Sequence, residues 1–311
     1  MKTWCKAVET YVSVRRAFGP KLKEVERQLL SFASFLEKEN ATFITVPLAL
    51  QWARNTPSTR PAQWAKRLTA VRGFSRYCSA VDPRTEIPSW ELLPFHAKRA
   101  NPYLYTECEV RNLLKAALCL SPEDRLRRHT YHVLLGLLAV SGLRISEALN
   151  LRVSDVDLKE GVLTVRSTKN HQFRLVPLHP SVKEKLAEYR FRRDDYLAGR
   201  TGSEYFFVSK RGNRLDQAEV RRTFYVLSRK IGLRGPLDSH GPRIHDLRHR
   251  FAVETLVRWY RTGKDPERLM PVLSTYLGHA SIAATYWYLT ACPELMRLPV
   301  KRLEERWRRT Q

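Results

Sequence analysis

An arginine at a helix start, a lysine in a tight turn, a His-x-x-Arg pair, and a histidine followed nine residues later by a tyrosine lie between positions 144 and 288 of this 311-residue chain. Together these types could hold an anion and move protons around it. Arg144 stands in Gly142-Leu-Arg-Ile-Ser-Glu-Ala-Leu149, at the junction of two expected helices, where a guanidinium fork and the N–H groups of a helix start both attract an anion. Taken singly it is a weak signal, since most arginines there are surface ion-pair partners. Glu147, one turn on, is equally a partner for Arg144 or an ordinary surface carboxylate. Lys169 falls in an expected hairpin turn, where it could reach a groove or leaving group, or simply aid solubility. In His245-Asp-Leu-Arg-His249 the i,i+3 spacing places His245 and Arg248 on one helix face, a proton carrier beside a bidentate phosphate clamp.

The fourth pattern is Leu277-Gly-His-Ala-Ser-Ile-Ala-Ala-Thr-Tyr-Trp-Tyr288. Gly278 can end one helix and Ser281 can cap the next, leaving His279 at the helix mouth. Tyr286 and Tyr288 would point about 200° apart, so at most one of them faces His279. His245 and His249, four apart, raise the question of zinc, but the HExxH pattern is not met and a third ligand is missing. No GxxxxGK[ST] loop or magnesium-type carboxylate cluster occurs, so no nucleotide, metal or other cofactor is expected. Cys5, Cys78, Cys108, Cys119 and Cys292 are scattered and odd in number, which disfavours a disulfide framework.

These residues need a scaffold, and 311 residues suffice for two ordinary domains while a 43% hydrophobic content suits a folded chain. A formal charge of +24 self-repels unless a polyanion neutralises it, and nucleic acid is the leading candidate. A membrane is disfavoured. The longest apolar stretch, Tyr131 to Val140, is about half the length of a spanning helix, and nothing at the start reads as a signal peptide. The expected location is the cytoplasm.

The first part reads as helices over Trp4–Phe18, Leu22–Glu39, Pro47–Arg54 and Arg60–Ser79. Trp64, Arg67, Arg72 and Arg76 repeat in helical register and, with Arg60, could meet DNA phosphates or form a solvated face. Between Trp90 and Tyr103 the period is lost, and Lys98 and Arg99 fit an exposed basic linker that could also touch DNA. Thr106-Glu-Cys-Glu109 is a capping box, followed by an apolar helix over Thr130–Ser141 and a short one over Ile145–Leu149. Val162–Val165 and Phe173–Val176 read as strands flanking the turn Lys169-Asn-His171. From Ser181 the chain returns to helices, with loops at 199–203, 209–214 and 232–242.

Arg144, Lys169, His245-x-x-Arg248, His279 and Tyr288 stand in the order and approximate spacing of the tyrosine recombinase (phage integrase) family, which residues 103–288 resemble. The helical first part looks like that family's core-binding domain. The resemblance implies a mainly α fold with a small β-sheet (α+β): a helical, SAM-like DNA-binding domain over 1–95, a linker over 96–103 and a catalytic domain over 104–311. It selects Tyr288 over Tyr286 as nucleophile, because the family's tyrosine comes nine residues after the histidine of the Leu-Gly-His box. By the same resemblance Arg144 and Arg248 neutralise the phosphate, His245 is the base, Lys169 protonates the departing 5′ oxygen, and His279 hydrogen-bonds the phosphate. The product would be a 3′-phosphotyrosyl link.

Implied partners are double-stranded DNA, a homotetramer on two DNA sites, and accessory recombinases or DNA-bending proteins. Many relatives follow the tyrosine with Thr-His. Here the tail is Tyr288-Leu-Thr-Ala-Cys-Pro-Glu-Leu-Met296, which is more similar to transposon-borne recombinases than to those resolving chromosome dimers. The segment Val300–Arg309 could dock on a neighbouring protomer or pack on its own domain. Type IB topoisomerases use nearly the same residues, and a non-catalytic DNA-binding protein is a further alternative. The complete set of catalytic types weighs against the latter.

Overall fold

A computed structural model describes residues 4–19, 22–57, 60–93, 101–121, 125–166, 173–199, 202–238, 240–279, 281–291, 295 and 307–308. The chain divides into two compact units, Met1–Ala100 and Asn101–Gln311. Among the described residues the first unit holds the α-helices α1 (Trp4–Ala17), α2 (Lys23–Lys38), α3 (Val46–Arg54) and α4 (Pro61–Ser79). Their apolar stripes close over one core that includes Val8, Phe32, Leu36, Trp52 and Phe74. Helix starts follow local chemistry. Thr45 accepts the Leu48 N–H and Pro47 lies in the first turn of α3, while Pro61 opens α4.

The second unit is also mainly helical. It contains α5 (Glu107–Leu118), α6 (Arg125–Ser141), α7 (Ile145–Leu149), β1 (Val156–Asp157), β2 (Val162–Arg166), β3 (Phe173–Pro177), α8 (Pro180–Leu197), α9 (Gln217–Lys230), α10 (Ile244–Arg261), α11 (Pro266–Leu277) and α12 (Ala283–Ala291). The Thr106 capping box forms as expected, Thr106 Oγ1 accepting from Glu109 N–H and Glu109 accepting from Thr106 N–H at 2.7 Å. α6 begins at Arg125, before the apolar run at Thr130, because its first turn is basic and invisible to an apolar-period criterion. The strands pair antiparallel in the order β1-β2-β3, with Leu163 opposite Val176 and Val165 opposite Arg174. The two-residue β1 is too short to leave a period in the sequence. The turn Lys169–His171 and most of Val300–Arg309 lie outside the described residues.

α10 serves two cores. Leu247 belongs to the large one with α6 and the sheet, while Ala252, Val253 and Leu256 join Leu273, Leu277 and Tyr288 of α11 and α12. Between α6 and α7 the chain turns at Gly142, whose φ of +61° is the left-handed region that side chains resist. A Cβ there would also lie 2.5 Å from the Phe251 ring and 3.0 Å from Leu277. Among the described residues no helix is long and apolar enough to cross a membrane.

Gly142→Ala should therefore destabilise the second unit by about 1–2 kcal/mol for the left-handed backbone and about 1–3 kcal/mol more for overpacking against Phe251. Gly199→Ala, at φ +75° with nothing within 4 Å, bears only the first cost. Thermal unfolding of both variants checks this. Equal falls in Tm would show that the close approach at Gly142 costs nothing.

Candidate active site

The site is organised by the C-terminus of α11. A helix ends with carbonyls that have no intrahelical donor, and they form the negative end of its dipole. Gly278, at φ +66°, closes α11 in a Schellman turn: Gly278 N–H donates to Thr275 O at 2.9 Å and His279 N–H to Ser274 O at 3.0 Å. The next three carbonyls go to arginines. Arg174 Nε donates to Tyr276 O at 2.7 Å, Arg248 Nη2 to Leu277 O at 2.6 Å, and Arg144 Nη2 to Gly278 O at 2.7 Å. Arg248 Nη1 also donates to Gly142 O at 2.7 Å, tying the α6–α7 turn to the same point.

One carboxylate balances part of this charge. Glu147 is 12% exposed, accepts from Arg144 Nη1 at 2.8 Å and from Arg174 at 2.7 and 3.1 Å, and also takes the Arg144 backbone N–H. Of its two sequence readings, the partner of Arg144 is the one observed. Burial alone would raise its pKa, but the hydrogen bond and charge of Arg174, then the hydrogen bonds from Arg144, hold it below the usual carboxylate value. Arg248 is almost fully buried. That burial, then the charge of Arg144, pushes its guanidinium down to about 10, still protonated at neutral pH.

His245 and Arg248 follow one another on α10 as the spacing predicts. Asp246, between them, is the capping carboxylate of that helix and accepts the Arg243 N–H at 2.8 Å. The His245 ring reaches the surface, yet partial burial and then the charges of Arg248, Arg144 and Arg243 outweigh Asp246 and push its pKa down to about 4. It is neutral at pH 7 and able to accept a proton. His279, beyond the Schellman turn, meets Thr285 Oγ1 at 2.7 Å and lies nearly parallel to the Tyr288 ring, 25° between planes. Ser281 caps α12 by accepting from Ala283 N–H at 3.3 Å.

α12 separates the two tyrosines. Tyr288 is 1% exposed and turned into the domain, whereas Tyr286 is 41% exposed. The Tyr288 hydroxyl meets His249 Nδ1 at 3.1 Å. Among the described residues no group of three His, Cys, Asp or Glu side chains could hold a metal ion.

Arg144, His245, Arg248, His279 and Tyr288 are thus brought together, while Lys169 lies outside the described residues. Two contributors escaped the sequence reading. Arg174 shares the inward face of β3 with Val176, and a charge on the buried face of a strand signals a buried partner. His249 drew notice only as a metal ligand.

In the first unit, Arg60 and Arg76 are exposed and Trp64 is half-buried. Arg67 instead lies over the Trp52 ring at 3.7 Å and donates to Trp52 O at 2.7 Å. Arg72 donates to Pro88 O at 2.9 Å and to Ser89 O at 3.1 Å. Both are engaged in bracing their own domain. Lys98 and Arg99 lie outside the described residues.

Comparison with known proteins finds that residues 105–294 match the phage integrase family. A protein of Sinorhizobium fredii described as an integrase/recombinase is 53% identical over 310 residues, covering 99% of each chain. The tyrosine recombinase XerC of Thermodesulfovibrio yellowstonii is 31% identical over 72% of this chain and 69% of its own. Among solved structures, the Tn1549 transposon integrase in complex with transposon right end DNA superposes with a TM-score of 0.66 at 15% identity, covering 96% of this chain and 99% of that one.

The Glu147 geometry predicts an acid-side dependence of stability. A carboxylate whose pKa is depressed by folding stabilises above its unfolded value of 4.5 and loses that contribution as pH falls through the lower folded value. Glu147→Gln should cost about 3 kcal/mol at pH 7 by leaving the nearly buried Arg174 guanidinium without its counter-charge, and the loss should shrink below pH 4.5. Denaturant melts at pH 7 and pH 3.5 measure both; an equal loss at the two values would contradict the ion-pair account.

Proposed function

The chain belongs to the phage integrase family, whose members cut and rejoin DNA, and from that premise we propose a site-specific tyrosine recombinase that attaches itself to DNA through Tyr288. The substrate in this reading is double-stranded DNA, the intermediate a 3′-phosphotyrosyl link with a free 5′ hydroxyl. The task is integration, excision or transposition of a mobile element. The observation that carries the reading is the meeting of Arg144 and Arg248 at the end of α11, with Tyr288 packed against the same helix end and stacked on His279.

As the tyrosyl oxygen bonds to phosphorus, negative charge grows on the two non-bridging oxygens. Fixed guanidinium forks remain charged and stabilise it. Arg248 uses two of its five N–H groups on Gly142 and Leu277 carbonyls, which leaves donors for phosphate. His279 adds a hydrogen bond from the helix mouth, and Lys169 protonates the departing 5′ oxygen. His245, neutral at pH 7, is a proton acceptor at the rim of the arginine cluster. Because the phosphotyrosyl ester conserves the energy of the broken bond, the 5′ hydroxyl of another strand can attack it and restore a phosphodiester.

The net charge of +24 supports a DNA partner, and the transposon-like tail after Tyr288 supports a mobile element. The first unit takes the role of a core-binding domain. Arg60, Trp64, Arg76, Lys98 and Arg99 are its candidates for the DNA backbone, while Arg67 and Arg72 act by shaping it. The assembly is four protomers on two sites, with accessory recombinases or DNA-bending proteins as further partners, and the setting is the cytoplasm.

A nicked suicide duplex carrying the site that the protein selects from a random DNA pool tests this reading. The wild-type chain should give a protein–DNA adduct on denaturing electrophoresis, Tyr288→Phe should abolish it while keeping DNA binding, and Tyr286→Phe should leave it intact. An adduct that persists in Tyr288→Phe sinks the assignment.

A further inference from the structure

In the resemblance drawn from sequence the base is His245, yet the imidazole that touches the Tyr288 hydroxyl is His249, one helical turn further along α10. His249 Nδ1 lies 3.1 Å from Tyr288 Oη, within hydrogen-bond range, and both residues are buried. The contact is framed on several sides. His245 meets the His249 ring edge-on at 4.6 Å, Trp287 at 5.5 Å, and Tyr288 packs against the same ring at 5.5 Å. Such packing restricts the ring on two neighbouring helices, which suits a group that must meet one oxygen atom. A phenol has a pKa of about 10 when unperturbed and is a poor nucleophile until its proton has somewhere to go.

Resting on the recombinase reading above, we propose that His249 is a catalytic residue, the group that takes the Tyr288 proton as the tyrosyl oxygen attacks phosphorus. In the required tautomer Nε2 carries the ring hydrogen and Nδ1 accepts from the phenol. The oxygen lone pair then forms the O–P bond, the O–H proton passes to Nδ1 to give an imidazolium, and the P–O5′ bond breaks with its electron pair on the 5′ oxygen, which Lys169 protonates. In rejoining, His249 returns its proton to the departing Tyr288. His245 is left to the phosphate and the leaving-group side of the site, where the arginines cluster.

Asn places an amide oxygen near the position of Nδ1, so His249→Asn can accept the hydrogen bond without holding the proton. Adduct formation is compared on two suicide duplexes carrying the selected site, one with the natural 5′ oxygen and one with a bridging 5′ sulfur, a leaving group that needs no protonation. His249→Asn should slow the reaction about 100-fold or more on both duplexes, the size expected for losing a general base, with DNA affinity unchanged. His245→Asn should not reproduce that pattern. A rate within about threefold of wild type overturns the role of His249, as does a defect that the sulfur duplex repairs, because the residue would then serve the leaving group. A wild-type chain that gives no adduct would instead sink the recombinase reading itself.

Should His249→Asn fail to fold, nitrogen NMR of the histidine rings in the otherwise wild-type chain decides. Nδ1 of His249 should be unprotonated and should shift in Tyr288→Phe; a hydrogen on Nδ1 overturns the proposal. The kinetic arm reads the DNA-bound state and the spectroscopic arm the free one.

Discussion

The second unit depends on how the C-terminus of α11 is satisfied. Three consecutive carbonyls, of Tyr276, Leu277 and Gly278, each receive a guanidinium, from β3, α10 and the α6–α7 junction respectively. Left alone, the carbonyls would be unpaired and the buried charges costly, so each group makes the others tolerable. The arrangement needs Gly278 twice over, for its left-handed turn and for space: a Cβ there would stand 2.8 Å from Arg174 Nη1. Among the described residues Glu147 is the carboxylate bonded to Arg144 and Arg174, and the three guanidinium groups outnumber it. A fixed, partly dry concentration of cations suits an anionic transition state better than mobile surface lysines would.

The same helix end sets the other half of the site. The Schellman turn that exposes those carbonyls also reverses the chain, leaving His279 beside it and starting α12 at the Ser281 cap. α12 then packs on α10 through Tyr288, in the core shared by Ala252, Leu256 and Leu277. The Arg248 guanidinium, His279 and the Tyr288 hydroxyl are therefore positioned by one packed assembly of α10, α11 and α12. Disturbance of the α6–α7 turn is transmitted to it through Gly142, which meets both Phe251 and Arg248.

Much of this was legible in the sequence, and the reasons differ by residue. In the first unit α3 and α4 have Thr or Pro starts, and the Thr106 capping box is a purely local signal. Arg144, His245, Arg248, His279 and Tyr288 come together because their order along the chain is a long-range pattern that no single motif holds. What stayed hidden depends on tertiary contact. That Glu147 holds two arginines, that Arg67 and Arg72 are engaged by backbone carbonyls, and that His249 rather than His245 meets the tyrosine hydroxyl all depend on partners distant in sequence. Strand alternation could have flagged Arg174, since it shares the face of Val176. The turn holding Lys169 is known only as sequence between two paired strands.

In the proposed reaction Tyr288, and no other hydroxyl, bonds to DNA. The most direct measurement is protease digestion of the trapped adduct, followed by fragmentation mass spectrometry to find which residue carries the nucleotide and by which end. The expected product is a nucleotide joined through its 3′ phosphate to Tyr288. A 5′ linkage, or a nucleotide on Tyr286, Tyr276 or a serine, would contradict it.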